Sequence, residues 1–301
     1  MNDISYLTDV FADVIKKYPQ KKTENVKKER IPNSVYSFDI FDTLITRNTA
    51  QSDGVFAVMS KIMCEDNSYH SIPKSIREHF FCIRQKAELT ARQRFVSSDI
   101  QEITFSQIYD VIAEEEKLSS KQIALLKNLE IQTETDLILP IDINIKKVKK
   151  RIEQNKKVIL ISDMYLPEKI IRSLLKKADE MLADLPLYIS CEHQKTKYSG
   201  DLYKIVQEKE NINMKQWVHI GDNSYSDICS ASKVGIQPIY YRFEPLSADE
   251  EKQLHFNPEN ADLQLKIGLN RYKRVQNRQE KQNITSLNIL KLVENGAFNR
   301  W

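Results

Sequence analysis

Nothing in these 301 residues reads as a membrane span. No apolar run approaches the ~18 residues that crossing a bilayer by a helix requires. The start, Met-Asn-Asp-Ile-Ser-Tyr, lacks a basic stretch followed by an apolar one, so secretion is not expected and the cytoplasm is the expected location. Cysteine is scarce: Cys64, Cys82, Cys191 and Cys229 are scattered and form no Cys-x-x-Cys. That disfavours a zinc site and predicts buried thiols in a reducing compartment. A net charge of +3 is too small to argue for nucleic acid. There is no internal repeat and no low-complexity segment. What is present, 41% hydrophobic and 29% charged residues, fits a soluble globular chain long enough for roughly two domains.

The most telling feature is a pair of acidic motifs far apart in sequence. Ser-Phe-Asp39-Ile-Phe-Asp42-Thr-Leu follows the apolar run Val35 to Phe38, and Gly-Asp222-Asn-Ser-Tyr-Ser-Asp227 follows Trp217 to Ile220. Short apolar runs ending in a polar cluster read as buried parallel strands whose carboxyl ends open onto a site. Ligands of an open α/β sheet bind outside those ends. Carboxylates gathered there repel one another unless a cation lies between them, which points to Mg²⁺ held by hard oxygen ligands.

From Ile141 onward strands alternate with helices: helix 145–155, strand 158–162, helix 167–182, strand 187–190, helix 201–210, strand 217–220, helix 225–233 and a last strand 236–241. This order predicts a parallel sheet with right-handed crossovers. The stretch 48–140 has helical periodicity instead, with helices expected over 55–63, 80–95 and 123–135, and a Thr or Ser cap near Thr104. An all-helical segment inserted there is placed to cover the site and read the substrate. The expected division is an N-terminal helix and basic connector (1–31), an α/β core (32–47 and 141–245), a helical cap (48–140) and a C-terminal helical extension (246–301) that docks on the body. The connector reads as a solvated face, which leaves no nucleic-acid partner. Oligomeric state is left open.

Two further candidates sit at strand ends. Ser162 closes Val-Ile-Leu-Ile, where a hydroxyl can donate to a phosphoryl oxygen, and Lys197 lies in a loop before a helix, where an ammonium can neutralise phosphoryl charge. In order, Asp39, Ser162, Lys197 and Asp222 with Asp227 resemble the four motifs of the haloacid dehalogenase (HAD) superfamily, over about residues 33 to 243, and the insertion resembles its helical C1-type cap. The resemblance implies a Rossmann-like parallel core and a phosphatase acting on a small phosphorylated metabolite. It implies Asp39 as nucleophile forming an aspartyl-phosphate, with Mg²⁺ on the Asp39 carboxylate, the Phe41 carbonyl and Asp222. It implies Ser162 and Lys197 as phosphoryl-binding residues and Asp227 at the metal or orienting Lys197, with Lys195 the competing lysine. Motif one also resembles HAD-like proteins associated with bacterial polysaccharide glycosyltransferases, which implies a sugar phosphate.

Family phosphatases carry a general acid two residues after the nucleophile, and here Phe41 stands there. Asp42 is the nearby carboxylate, and a bend after the strand would be needed to aim it. Dehalogenases of the family, which attack carbon without a metal, also lack that acid. The same residues are compatible with a binding or regulatory module of weakened turnover, and with phosphotransfer to another acceptor. Thr43, Arg47, Arg84 and Arg92 are the substrate-binding candidates. Arg84, Glu88 and Arg92 share a helix face, either as an ion-pair ladder or with arginines gripping an anion. His219, Trp217, Tyr240 and Tyr241 read as core.

Overall fold

The computed structural model describes residues 35–294, with side chains to residue 278. The expected N-terminal helix and basic connector, and the apolar end of the C-terminal extension at the level of side chains, lie outside the described residues.

Five parallel strands form one sheet in the order β5-β4-β1-β6-β7. They are β1 (Val35–Phe38), β4 (Lys157–Ser162), β5 (Leu187–Ile189), β6 (Trp217–Gly221) and β7 (Gln237–Tyr240). Alternate residues of β4 enter different cores: Val158 and Leu160 pack with Ile171, Leu174 and Leu175 on one face, Ile159 and Ile161 with Leu202, Tyr203 and Val206 on the other. Both faces are therefore covered, which is why these strands read as continuous apolar runs instead of alternating ones. The crossover helices are α5 (Asp142–Glu153), α6 (Glu168–Ala178) and α8 (Asp201–Glu210), with a short α7 (Ser190–His193) after β5. After β6 the chain makes a π-helical turn, Ser224–Ser230, that runs into α9 (Ala231–Lys233). The fold class is as expected: an α/β Rossmann-like sheet carrying an inserted helical cap.

The cap contains α1 (Gly54–Glu65), α2 (Lys74–Phe95), α3 (Phe105–Glu115) and α4 (Ser120–Leu137). Thr104 caps α3 in a reciprocal box with Gln107, and Ser119 and Gln122 do the same for α4, so each satisfies orphan donors at its helix start. Two short strands that periodicity does not reveal, β2 (Ile45–Arg47) and β3 (Ile138–Pro140), pair antiparallel where the chain enters and leaves this helical segment. Three residues are too few for a pattern to register.

The C-terminal extension forms α10 (Ala248–Phe256) and α11 (Ala261–Glu294). The latter lies across both passages. Gly268 packs directly on the backbone of Asn48 and Thr49, where any Cβ would collide. Gln264 accepts from the Gln51 amide at 3.2 Å, and the Tyr272 hydroxyl donates to the Pro140 carbonyl at 2.9 Å.

Two expectations about burial are corrected. Cys64, Cys82 and Cys229 are exposed and only Cys191 is buried, because the first three lie on outward faces of their elements. Tyr240 is 54% exposed at the end of β7, which is an edge strand, whereas Tyr241 is buried.

Candidate active site

β1 lies between β4 and β6, so chain direction departs to either side of it and a crevice opens at its carboxyl end. Phe38 stands in register with Leu160 and Ile220, and the Asp39 amide donates to the Ile220 carbonyl at 2.8 Å. The residue after β1 is thereby laid beside Gly221 and Asp222. Carboxylate oxygens of Asp39, Asp222 and Asp227 come within 4.8 Å of one another. Asp39 is 6% exposed and Asp227 fully buried. Gly221 must be glycine here, since a Cβ would collide with the Asp227 carboxylate.

Lys197 is driven into this cluster. Its Nζ donates to Asp39 Oδ1 at 2.5 Å and to Asp227 Oδ1 at 2.6 Å. The loop that carries it is pinned by Asp163, whose two oxygens accept from the amides of Lys197 (2.7 Å) and Tyr198 (3.1 Å). Sequence reasoning missed Asp163; the signal was a second polar residue directly after Ser162. Ser162 ends β4, 2% exposed. Lys195 points elsewhere, donating to the Asp99 carbonyl at 2.9 Å.

Both oxygens of Asp227 are engaged. Besides Lys197 it meets His219 Nε2 at 3.1 Å through Oδ1, and its Oδ2 accepts from the Asn223 amide at 2.9 Å. His219 and Trp217 are core residues as expected, both fully buried, yet His219 Nδ1 and Trp217 Nε1 both bond the Ser37 hydroxyl.

The electrostatics follow from burial. Loss of water pushes Asp39 up to about 7 despite Lys197, and pushes Asp222 up to about 8 with help from the charges of Asp39 and Asp42. Asp227 goes down, because Lys197 and the His219 hydrogen bond outweigh its burial. Lys197 is raised by Asp227 and Asp39 against its own desolvation. Three carboxylates and one ammonium leave a net negative, water-poor pocket, which suits a hard divalent cation.

The loop after Asp39 turns sharply. Asp42 adopts a left-handed backbone (φ 56°), its amide donates to the Ile45 carbonyl at 2.6 Å, and Thr46 Oγ1 donates to its Oδ1 at 2.6 Å. A φ in this region is uncommon for a residue with a Cβ and is held by those two bonds. Phe41 makes a single bridge to Ile45, and its ring lies under the Arg47 guanidinium at 4.2 Å. Thr43 Oγ1 donates to Asp222 Oδ1 at 3.3 Å.

The arginines are largely spoken for. Arg47 forks onto Glu134 at 2.7 and 2.9 Å. Arg84 is fully buried, forks onto Glu130 at 2.9 and 3.0 Å, and stacks on Phe56 and Tyr165 at 4.5 and 4.9 Å. It lies beneath the surface, not in a cavity. Arg92 bonds Glu102 at 2.6 Å and Glu88 at 3.0 Å, so the Arg84–Glu88–Arg92 ladder does form. Arg47 and Arg92 line a cavity of about 510 Å³ between the cap and Asp163. A second cavity of about 490 Å³ is lined by Asp42 and by Arg271 of α11. Asp53 borders both. Arg271 donates to the carbonyls of Glu244 and Ala50, a contribution from the C-terminal extension that no motif announced.

No family model matches the sequence, and no curated protein does. Among solved structures, the chain is similar to a HAD-hydrolase from Bacillus subtilis bound to magnesium, at 13% identity and a TM-score of 0.47, over 75% of this chain and 98% of that one. It is similar to L-2-haloacid dehalogenase from Xanthobacter autotrophicus at 15% and 0.48, over 74% and 83%. It is also similar to a HAD phosphatase from Thermococcus onnurineus at 13% and 0.44, over 70% and 86%. Likeness this distant identifies neither a reaction nor a substrate; those rest on the residues gathered at the end of β1.

Proposed function

We propose that this chain is a HAD-superfamily hydrolase, a Mg²⁺-dependent phosphatase that acts on a small phosphorylated metabolite through an aspartyl-phosphate. One observation carries the reading: Lys197 Nζ bridges Asp39 and Asp227 at 2.5 and 2.6 Å inside an acidic cluster completed by Asp222. A binding module has no need of a carboxylate held between a buried ammonium and a cation site. The acidic cluster likewise favours phosphoryl over carbon–halogen chemistry, which uses no metal.

Asp39 attacks phosphorus; the bond from its carboxylate oxygen to phosphorus forms as the ester P–O bond breaks. Lys197 holds Asp39 in place and neutralises charge gathering on the phosphoryl oxygens, to which the Ser162 hydroxyl donates. Asp39, Asp222 and the Phe41 carbonyl would hold Mg²⁺, which when bound neutralises the phosphate and keeps both carboxylates ionised. Asp227, with both oxygens already engaged, anchors Lys197. In this reading the leaving oxygen takes its proton from the protonated carboxyl group of Asp42, the acid next to Phe41 in the turn. The same group then takes a proton from the water that attacks phosphorus, releasing phosphate and restoring Asp39.

The test is phosphate release from a panel of sugar phosphates, nucleotides and an aryl phosphate, with Mg²⁺ or EDTA, by wild type and Asp39→Asn. Mg²⁺-dependent turnover abolished by Asp39→Asn is expected. Release of halide from a 2-haloacid, with no phosphate release from any ester, would replace this reading by the dehalogenase one.

A further inference from the structure

A chain of hydrogen bonds runs from the back of the sheet to Asp39, and the chemistry of its end group fixes the direction of every link. Trp217 Nε1 can only donate, and it donates to Ser37 Oγ at 2.7 Å. The Ser37 proton is then free for the one other polar atom that Oγ reaches among the described residues, His219 Nδ1 at 2.7 Å. Nδ1 accepts, so the ring proton sits on Nε2, which donates to Asp227 Oδ1 at 3.1 Å. The opposite tautomer would set an Nε2 lone pair against a carboxylate. A doubly protonated ring would leave the Ser37 proton without an acceptor among the described residues.

The link back to the sheet is what matters. Ser37 and His219 are register partners on β1, the central strand, and its neighbour β6. The other donors to Asp227, Lys197 Nζ and the Asn223 amide, both belong to segments outside the strands. All three side chains of the relay are fully buried. We propose that His219 is a positioning residue: held as the Nε2–H tautomer by Ser37 and Trp217, it fixes Asp227 against the sheet and so aims Lys197 at Asp39. This rests on the reading of Asp39 and Lys197 as the reacting pair.

Two variants separate positioning from packing. His219→Met fills the strand with an apolar side chain and no donor, whereas His219→Gln keeps an N–H able to reach Asp227. With aryl phosphate and Mg²⁺, the Met variant is expected to lose 10–100-fold, the usual cost of removing a supporting hydrogen bond, in kcat and not in KM. The Gln variant is expected to recover most of it, even where thermal unfolding shows Met to be the more stable of the two. Equal activities, or activities that track stability alone, would overturn the proposal. A second measurement needs no turnover: imidazole ¹⁵N NMR of the whole protein, with His219 assigned by its loss in His219→Gln. The expected spectrum shows Nε2 protonated and Nδ1 bare; a protonated Nδ1 overturns the proposal. Wild-type protein without any phosphatase activity but with this tautomer would remove the phosphatase reading and leave the relay standing.

Discussion

Asp222→Asn should stabilise the metal-free protein, and more at alkaline pH. Burial, together with the charges of Asp39 and Asp42, moves the Asp222 carboxyl group from its ordinary 3.8 up to about 8. An acid whose folded pKa is raised binds its proton more tightly when folded. Its contribution is therefore most favourable at low pH and is lost as pH climbs from about 4 toward 8. At 1.36 kcal/mol per unit, the loss between pH 5.5 and pH 8 is roughly 3 kcal/mol, an upper bound because Asp222 is only half-buried and solvent screens part of it. Asparagine removes the charge and with it the slope. Urea unfolding in EDTA at the two pH values should show a wild-type midpoint that falls with pH and a variant midpoint that falls less. Mg²⁺ should close most of that gap: at 100 times its dissociation constant it adds about 2.7 kcal/mol to wild type at pH 8. The variant, stripped of a ligand, should gain little. A variant less stable than wild type at both pH values in EDTA, or equally stabilised by Mg²⁺, would refute the picture of crowded carboxylates awaiting a cation.

Three other outcomes are expected. Asp42→Ala should lower kcat toward alkyl phosphates by about 10²–10⁴, the usual worth of general acid–base help, while an aryl phosphate whose leaving group needs no proton is affected far less. Arg84→Leu should cost about 3–5 kcal/mol in chemical denaturation, because it strands the buried Glu130 and its Tyr109 contact, yet KM of the folded fraction should hold steady, since Arg84 is fully buried and lines neither of the two cavities described above. Gly268→Ala should cost about 1–3 kcal/mol by overpacking against the Thr49 backbone, and should show as a lowered unfolding temperature.

Local pattern alone announced the strands that matter here. Val35 to Phe38, Val158 to Ser162 and Trp217 to Gly221 lie in a sheet covered on both faces, so their apolar runs stand out against the polar residues that end them. Because a parallel sheet sends its ligands to strand ends, Asp39, Ser162 and Asp222 were legible as a group from the chain alone. Helix starts with a hydroxyl cap, such as Thr104, were legible for the same local reason. Other features needed the third dimension. The Ser37–His219 contact joins residues on neighbouring strands, and a buried histidine looks the same in sequence whether or not it has a partner. Arg84 looked like a surface ladder residue or a substrate clamp, and only packing showed the Glu130 across from it on α4. Asp42 depended on a left-handed backbone that no periodicity encodes, and Arg271 arrived from a helix more than two hundred residues downstream. Sequence determined which groups end the strands, because burial imposes a local pattern. Tertiary structure decided which of those groups face one another, because that depends on register and on contacts with no trace in the neighbouring residues.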